Sequence, residues 1–406
     1  MQVLLFLHRL YFFVILNIRN KKTYKMKKII FLFIISSLIS IKGIGLTLSP
    51  ETEVSILTCA PGNELYSLFG HTAIRINDPR HQIDRVYNYG TFDFSTPHFY
   101  LKYARGLLPY QLTVQKFSHF IYNYQLEERT VYAQTIRLDS LEQRIFDLLE
   151  ENLLPQNRYY LYNFLFDNCT TRSRDILLKS LPDSVAWNMP DVNKNFWNLL
   201  DEYLQASPWV QWGIHTILGQ RGNRTATTFQ YMFLPDYLMY GLKNARYDGQ
   251  LLAEPAEVLY QAPEMNLSNS WYGTPLFVFA LGCLLLILLL QYVKSRSLLN
   301  VISLIFLLFT GIVGVLIVFL GGFTAHPITA PNWNILWANP LNLFVIPFIF
   351  RKALPLFIRK YLKFYLAILA IAIPVWAIAQ PAVPMASISL IILMIYLCFR
   401  LRNEKR

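Results

Sequence analysis

Tyr162-Asn-Phe-Leu-Phe-Asp-Asn-Cys-Thr-Thr-Arg-Ser-Arg-Asp175 decides how this chain is read. An aromatic run (Tyr159–Phe166) gives way at Asp167-Asn168-Cys169 to helical spacing over Thr170–Leu181. Ile176, Leu177 and Leu181 are apolar there, Arg172, Arg174 and Lys179 polar, and Pro182 is the stop. Cys169 therefore stands where a helix begins. Unpaired amides and aligned peptide dipoles at such a point stabilise a thiolate. The same amides can receive the oxyanion of an acyl-transfer intermediate. Asn168 reads equally as a helix cap and as a catalytic group polarising a carbonyl. Asp167 reads as local structure. Arg172 reads first as the ion-pair partner of Asp175 and second as a substrate contact.

Working outward, Phe69-Gly70-His71-Thr72-Ala73 is the complementary string. The run His71–Asn77 predicts a strand with Thr72, Ile74 and Ile76 on one face and His71, Ala73 and Arg75 on the other. Val54–Thr58 predicts a strand before it, broken by Pro61-Gly62-Asn63 and followed by a short helical stretch over Glu64–Phe69. Val86–Phe94 and Thr130–Leu138 predict further strands, and Ser140–Leu154 a helix with Ser140 as cap. A histidine that accepts a proton and a cysteine that loses one are the minimum set for thiol acyl transfer. Their distance in sequence leaves the pairing to the fold. A third group normally orients the imidazole. Asn88 and Asp93 are the candidates, with Asp84 more remote. Cys59 ends a strand with no helix to activate it and reads as a buried structural thiol. A Cys59–Cys169 disulfide is the competing reading in an oxidising compartment.

Composition separates the chain into three parts. Of its 406 residues 54% are apolar, and the formal net charge is +12. Residues 1–46 carry +8 with no acid and 271–406 carry +10, whereas 47–270 carry about −6. The basic balance belongs to membrane flanks, so nucleic-acid binding is excluded as a partner class. His71, His81, His98, His119 and His215 lack the close paired spacing of metal ligands, so no metal site is expected. No phosphate-binding loop, dinucleotide fingerprint or repeat occurs, and no cofactor is expected. Residues 187–262 form an aromatic, mostly helical region around Trp197, Trp209, Trp212 and Tyr231–Tyr240. It reads as an acyl groove wall, a bilayer rest or ordinary packing.

Met26-Lys27-Lys28 before Ile29–Ile41 reads as a secretory signal or anchor, which suggests a true start at Met26. Apolar spans fall near 273–293, 298–321, 337–350, 362–380 and 385–399; the third is short and contains Pro340 and Pro347. Lys294/Arg296, the basic residues of 351–363 and those of 400–406 form three clusters, whereas 322–336 and 380–384 contain no Lys or Arg. Five spans put every cluster on one side, the cytoplasmic one, and the 47–270 domain outside. The loop His326–Pro340 then faces outward. Trp333 and Trp337 suit the headgroup layer, while Asn332, Asn334 and His326 are candidates to seat a lipid headgroup.

The order His71 then Asn168-Cys169 resembles the circularly permuted papain-like thiol fold of NlpC/P60-type hydrolases and lecithin:retinol acyltransferase relatives. More closely, "LTCAPGNELYSLFGHTAIRI", "YNYGTFDF", "YNFLFDNCTTRSRD" and "NILWANPLNLF" resemble the lipoprotein N-acyltransferases of the Lnb type. The resemblance implies an α+β, papain-like domain followed by an all-α transmembrane bundle. It implies a bacterial inner-membrane enzyme whose Cys169 takes an acyl chain from a phospholipid and passes it to the α-amine of an S-diacylglyceryl cysteine. On that resemblance His71 would be the base; Arg172, Trp333, Trp337 and Asn334 are the candidate substrate contacts from their positions in the sequence. A membrane-tethered cysteine hydrolase and a non-enzymatic scaffold with a relic thiol domain are the alternatives.

Overall fold

The computed structural model describes residues 46–137, 141–181, 185–189, 193–263, 270–380 and 384–403. The signal-like stretch, Met26, the Ser140 cap and Pro182 lie outside them. The core of the first half is a seven-stranded sheet. Its strands are β1 (Glu53–Cys59), β2 (His71–Asp78), β3 (Ile83–Phe92), β4 (Pro109–Lys116), β5 (Val131–Thr135), β6 (Tyr159–Leu161) and β9 (Glu257–Tyr260). Their spatial order is β6-β4-β3-β2-β1-β5-β9, every pairing antiparallel. A small hairpin, β7 (Arg246–Tyr247) and β8 (Gln250–Leu251), stands apart from it.

Alternation along β2 carries the layering. Ala73 and Val86 join Leu57, Cys59, Val131 and Phe120 in one apolar cluster, so helix α2 (Phe117–Leu126) covers that face. Helix α1 (Phe99–Ala104) lies between β3 and β4. The opposite face meets α3 (Glu142–Leu153), whose Glu150 accepts from the Tyr87 hydroxyl. It also meets α4 (Cys169–Ser180), whose Thr170 hydroxyl lies 3.1 Å from that of Thr72. Glu64–Phe69 forms turns rather than the expected helix, because Gly62 and Gly70 close the loop through the Ser67 backbone.

The region 187–262 folds into α5 (Phe196–Leu204), α6 (Pro208–Ile217), the single turn α7 (Thr228–Tyr231) and α8 (Pro235–Asn244). Phe196, Leu199, Leu200, Tyr231 and Phe233 form their own apolar cluster with Leu68 and Leu165. Ordinary packing thus accounts for much of its aromatic content.

The last third contains α9 (Pro275–Val293), α10 (Arg296–Gly322), α11 (Leu356–Ala379) and α12 (Ser387–Asn403). The first three are long and apolar enough to cross a membrane; α12, at 17 residues, is shorter. The expected third span is no α-helix. It runs as 3₁₀ turns over Trp333–Leu336 and Pro340–Phe348, where the two prolines disfavour regular i→i−4 bonding. It nevertheless travels the length of α10. Its start lies beside the sheet domain, and the Arg351 and Lys352 carbonyls at its end accept from the Arg296 guanidinium, at the far tip of α10. Non-helical backbone at membrane depth is tolerated only when enclosed by protein. Here a buried polar cluster holds its inner side: Asn342 Nδ2 donates to Thr310 Oγ1 (2.9 Å) and the Tyr365 hydroxyl (3.1 Å). Tyr361 donates to Asn342 Oδ1, and Tyr365 to the Trp337 carbonyl.

Candidate active site

Pairing between β2 and β3 runs from Asp78↔Ile83 only as far as Ile74↔Tyr87. Beyond it the two strands separate. β3 bulges between Asn88 and Thr91, with Gly90 at φ 88, and β2 continues to His71. The opening of that V receives the first residue of α4. Cys169 comes so close to Gly90 that an added Cβ would lie 3.5 Å from the cysteine Cβ. The Thr72 amide, left unpaired on the β3 side, favours the Cys169 thiolate. A local failure of sheet pairing therefore makes the seat for the thiol.

Gly70, at φ 75, brings His71 into the same seat; a Cβ there would meet the Cys59 carbonyl at 2.7 Å. The imidazole lies within electrostatic reach of Cys169, and its Nε2 lies 3.2 Å from Asn88 Oδ1. A carbonyl oxygen only accepts, so Nε2 is the protonated nitrogen and Nδ1 is left for the sulfur. Burial alone pushes the Cys169 thiol up. The charge of His71, with the Thr72 amide and Thr170 hydroxyl, outweighs it and brings the thiol down from 9.0 to about 7. Burial works against the imidazolium too, yet the Cys169 thiolate and Asn88 raise His71 above its usual value. The pair is built to hold separated charge.

Asn168 caps α4 reciprocally with Thr171: its Oδ1 accepts from the Thr171 amide and its own amide donates to Thr171 Oγ1. Its Nδ2 donates to the Phe164 and Phe233 carbonyls at 2.9 and 2.8 Å. Both amide protons are committed, so the structure assigns Asn168 to positioning and corrects the reading that it polarises a carbonyl. The Arg172 amide turns to the Asn168 carbonyl, which leaves the Cys169 and Thr170 amides as the open donors of the first turn.

Other expectations change as well. Asp93 sits in an exposed turn where its carboxylate accepts from the Ser95 amide; Asn88, not Asp93, contacts the imidazole. Asp84 pairs with Arg75. Arg172 binds Asp167 through two bonds of 2.6 and 2.8 Å and stacks 3.6 Å over Tyr160, while Asp175 pairs with Arg174. Trp337 is fully buried with its Nε1 on Asn334 Oδ1, so it presents no surface to a headgroup layer. Asn334, also fully buried, donates to the His215 and Thr216 carbonyls of α6. Trp333 donates to Gln220 Oε1, and Asn332 to the Thr216 carbonyl. These outer-loop residues join the two halves of the molecule instead of presenting polar groups to a ligand. Cys59 is a free, buried thiol pushed up to about 12 by burial, and Cys169 is also free.

Sequence reading missed the Thr72 amide, Gly90, Tyr160 and Tyr162. Only Gly90, a glycine interrupting a strand pattern, carried a signal. Burial raises both phenols, and the Cys169 thiolate adds to the effect.

Residues 47–200 match the Lnb N-terminal periplasmic domain, and residues 267–404 match the Lnb transmembrane domain. No curated protein and no solved structure gives a significant match. With both domains in order along most of its length, the chain belongs to the Lnb family, as a membrane protein with a periplasmic domain and a part in lipoprotein maturation.

Proposed function

We propose that the chain is a thiol-dependent lipoprotein N-acyltransferase of the bacterial inner membrane. The observation that carries this reading is the Cys169–His71–Asn88 arrangement, with its thiol near pH 7, in a chain with Lnb domains. Cys169 Sγ attacks an ester carbonyl carbon of a phospholipid while His71 Nδ1 takes the thiol proton. The Cys169 and Thr170 amides receive the oxyanion. Collapse breaks the ester C–O bond, and the imidazolium protonates the departing lysophospholipid oxygen, leaving an acyl thioester. The α-amine of an S-diacylglyceryl cysteine then attacks that thioester and loses a proton to His71. Its C–N bond forms as the C–S bond breaks, which returns the thiol.

The topology that fits has five crossings, with 333–350 as the irregular third. It puts Lys294/Arg296, Arg351/Lys352 and Arg400/Arg402 on the cytoplasmic side and the 47–270 domain in the periplasm. Both substrates are lipids of the leaflet beneath that domain. A bacterium lacking its own lipoprotein N-acyltransferase, supplied with this chain, tests the reading through mass spectra of lipoprotein amino termini. N-acylated termini that disappear with Cys169→Ala and with His71→Ala are expected. Free α-amines with altered peptidoglycan would assign the site to hydrolysis, and acylation surviving both substitutions would remove the thiol mechanism.

A further inference from the structure

Between β3 and β4 the chain leaves the sheet and exposes rings. Tyr100 is 81% exposed, Phe94 72% and Tyr103 53%, with Leu101 at 54% beside them. Four large apolar side chains in ten residues make a surface that a protein facing only water rarely keeps. No Asp or Glu occurs between Phe94 and Leu126, whereas Lys102 and Arg105 lie within this lobe. Aromatic rings interspersed with cations suit an interface of anionic headgroups over acyl chains.

The lobe's position agrees with its chemistry. The Ala325 amide donates to the Arg105 carbonyl at 2.9 Å, and His326 Nε2 donates to the Ala104 carbonyl at 3.1 Å. Gly106 makes room for the imidazole, since a Cβ there would lie 3.2 Å from it. Ala325 follows the end of α10 by three residues, so these bonds fix the lobe at the level where an apolar helix long enough to cross a membrane ends. Its rings also continue inward. Phe94 and Phe99 lie 5.1 and 5.7 Å from Phe92, Phe92 lies 5.2 Å from Tyr110, and Tyr110 stacks on Tyr162 at 4.3 Å. Tyr162 lies within electrostatic reach of Cys169.

We propose that the 94–105 lobe enters the outer lipid interface beside α10 and that its ring row leads a phospholipid acyl chain to Cys169. The second clause rests on the acyl-transfer reading; the first stands without it.

The test uses the full chain in vesicles of phosphatidylethanolamine and phosphatidylglycerol. p-Benzoylphenylalanine replaces Phe94, Tyr100 or, as a control, the exposed Arg80 in the turn at the opposite end of the β2–β3 hairpin from His71. Irradiation is expected to give phospholipid adducts at 94 and 100 and few at 80. In a second arm, Phe94→Ser/Tyr100→Ser lowers acyl transfer from vesicle phospholipid at least about tenfold, while iodoacetamide still alkylates Cys169 at the wild-type rate. Tyr100→Ser, at the most exposed ring, is the alternative where the double variant fails to fold. Adducts no more frequent at 94 and 100 than at 80 overturn the proposal, and unchanged transfer overturns its second clause. If the wild-type chain transfers no acyl group, the acyl-transfer reading fails, and the adduct pattern alone decides whether the lobe enters lipid.

Discussion

His71 Nε2 donates across 3.2 Å to Asn88 Oδ1, on the strand next to its own. That single bond fixes which nitrogen meets the sulfur. Asn88→Ala frees the ring to rotate and to change tautomer. Acyl transfer is expected to fall, by up to the ~10²–10⁴-fold that a well-placed general base contributes. Asp93→Ala, in its exposed turn, is expected to leave transfer at the wild-type level. Parallel transfer assays on the two variants check this.

Cys169 alkylation reports the charge state of the pair. Iodoacetamide reacts with the thiolate, so the rate should climb as pH rises through about 7 and level off above it. His71→Ala removes the largest stabilising charge and leaves burial opposed only by the Thr72 amide and the Thr170 hydroxyl, so the thiol rises from about 7. At pH 7 the thiolate fraction then drops, up to about tenfold for each unit the thiol rises, and the inflection of the rate–pH curve moves to alkaline pH. Cys59, buried and pushed up to about 12, should remain unlabelled in the folded protein.

Asn168→Ala is expected to lower stability through two separate losses. The helix cap is worth about 1 kcal/mol. The Phe164 and Phe233 carbonyls each lose a buried donor, at a further ~1 kcal/mol or so apiece. A lowered thermal midpoint, with Cys169 alkylation at neutral pH slowed as its helix frays, is the result to look for.

Asn334→Ala and Gly219→Ala probe the joint between the halves. The first strands the His215 carbonyl and the Trp337 indole, at roughly 1–3 kcal/mol for each group left without a partner, and takes one of two side-chain donors from the Thr216 carbonyl. The second drives a Cβ to within 2.3 Å of the Pro331 carbonyl oxygen, and that oxygen accepts from the Gln220 amide. Both variants should be cut by protease faster than wild type within 323–332, in detergent solution.

Strands β1 to β3 and β5 and helix α4 were legible because alternation and helical spacing are local signals. The thiol seat was legible only as two strings. Nothing local reveals that β2 and β3 part after Ile74↔Tyr87, which is the event that joins them. The Arg172 partner was misread for a related reason: helical periodicity offers Asp175, whereas Asp167 lies in the turn before the helix. Trp337 fits an interfacial pattern by sequence, yet the returning chain buries it among α10, α11 and the 3₁₀ segment. Edge strand β9 pairs with β5 across more than a hundred residues, and no spacing rule spans that gap.

The polypeptide that anchors Asn332 and Asn334 beneath α6 continues without a break into the 3₁₀ strut ending at Arg351. A strut held by side chains along its whole length has little give. The distance from the α6 anchorage to Arg296 is therefore a dimension of the protein, set by the reach of one segment between two anchorages. Bilayers of unequal thickness would have to bend to meet it.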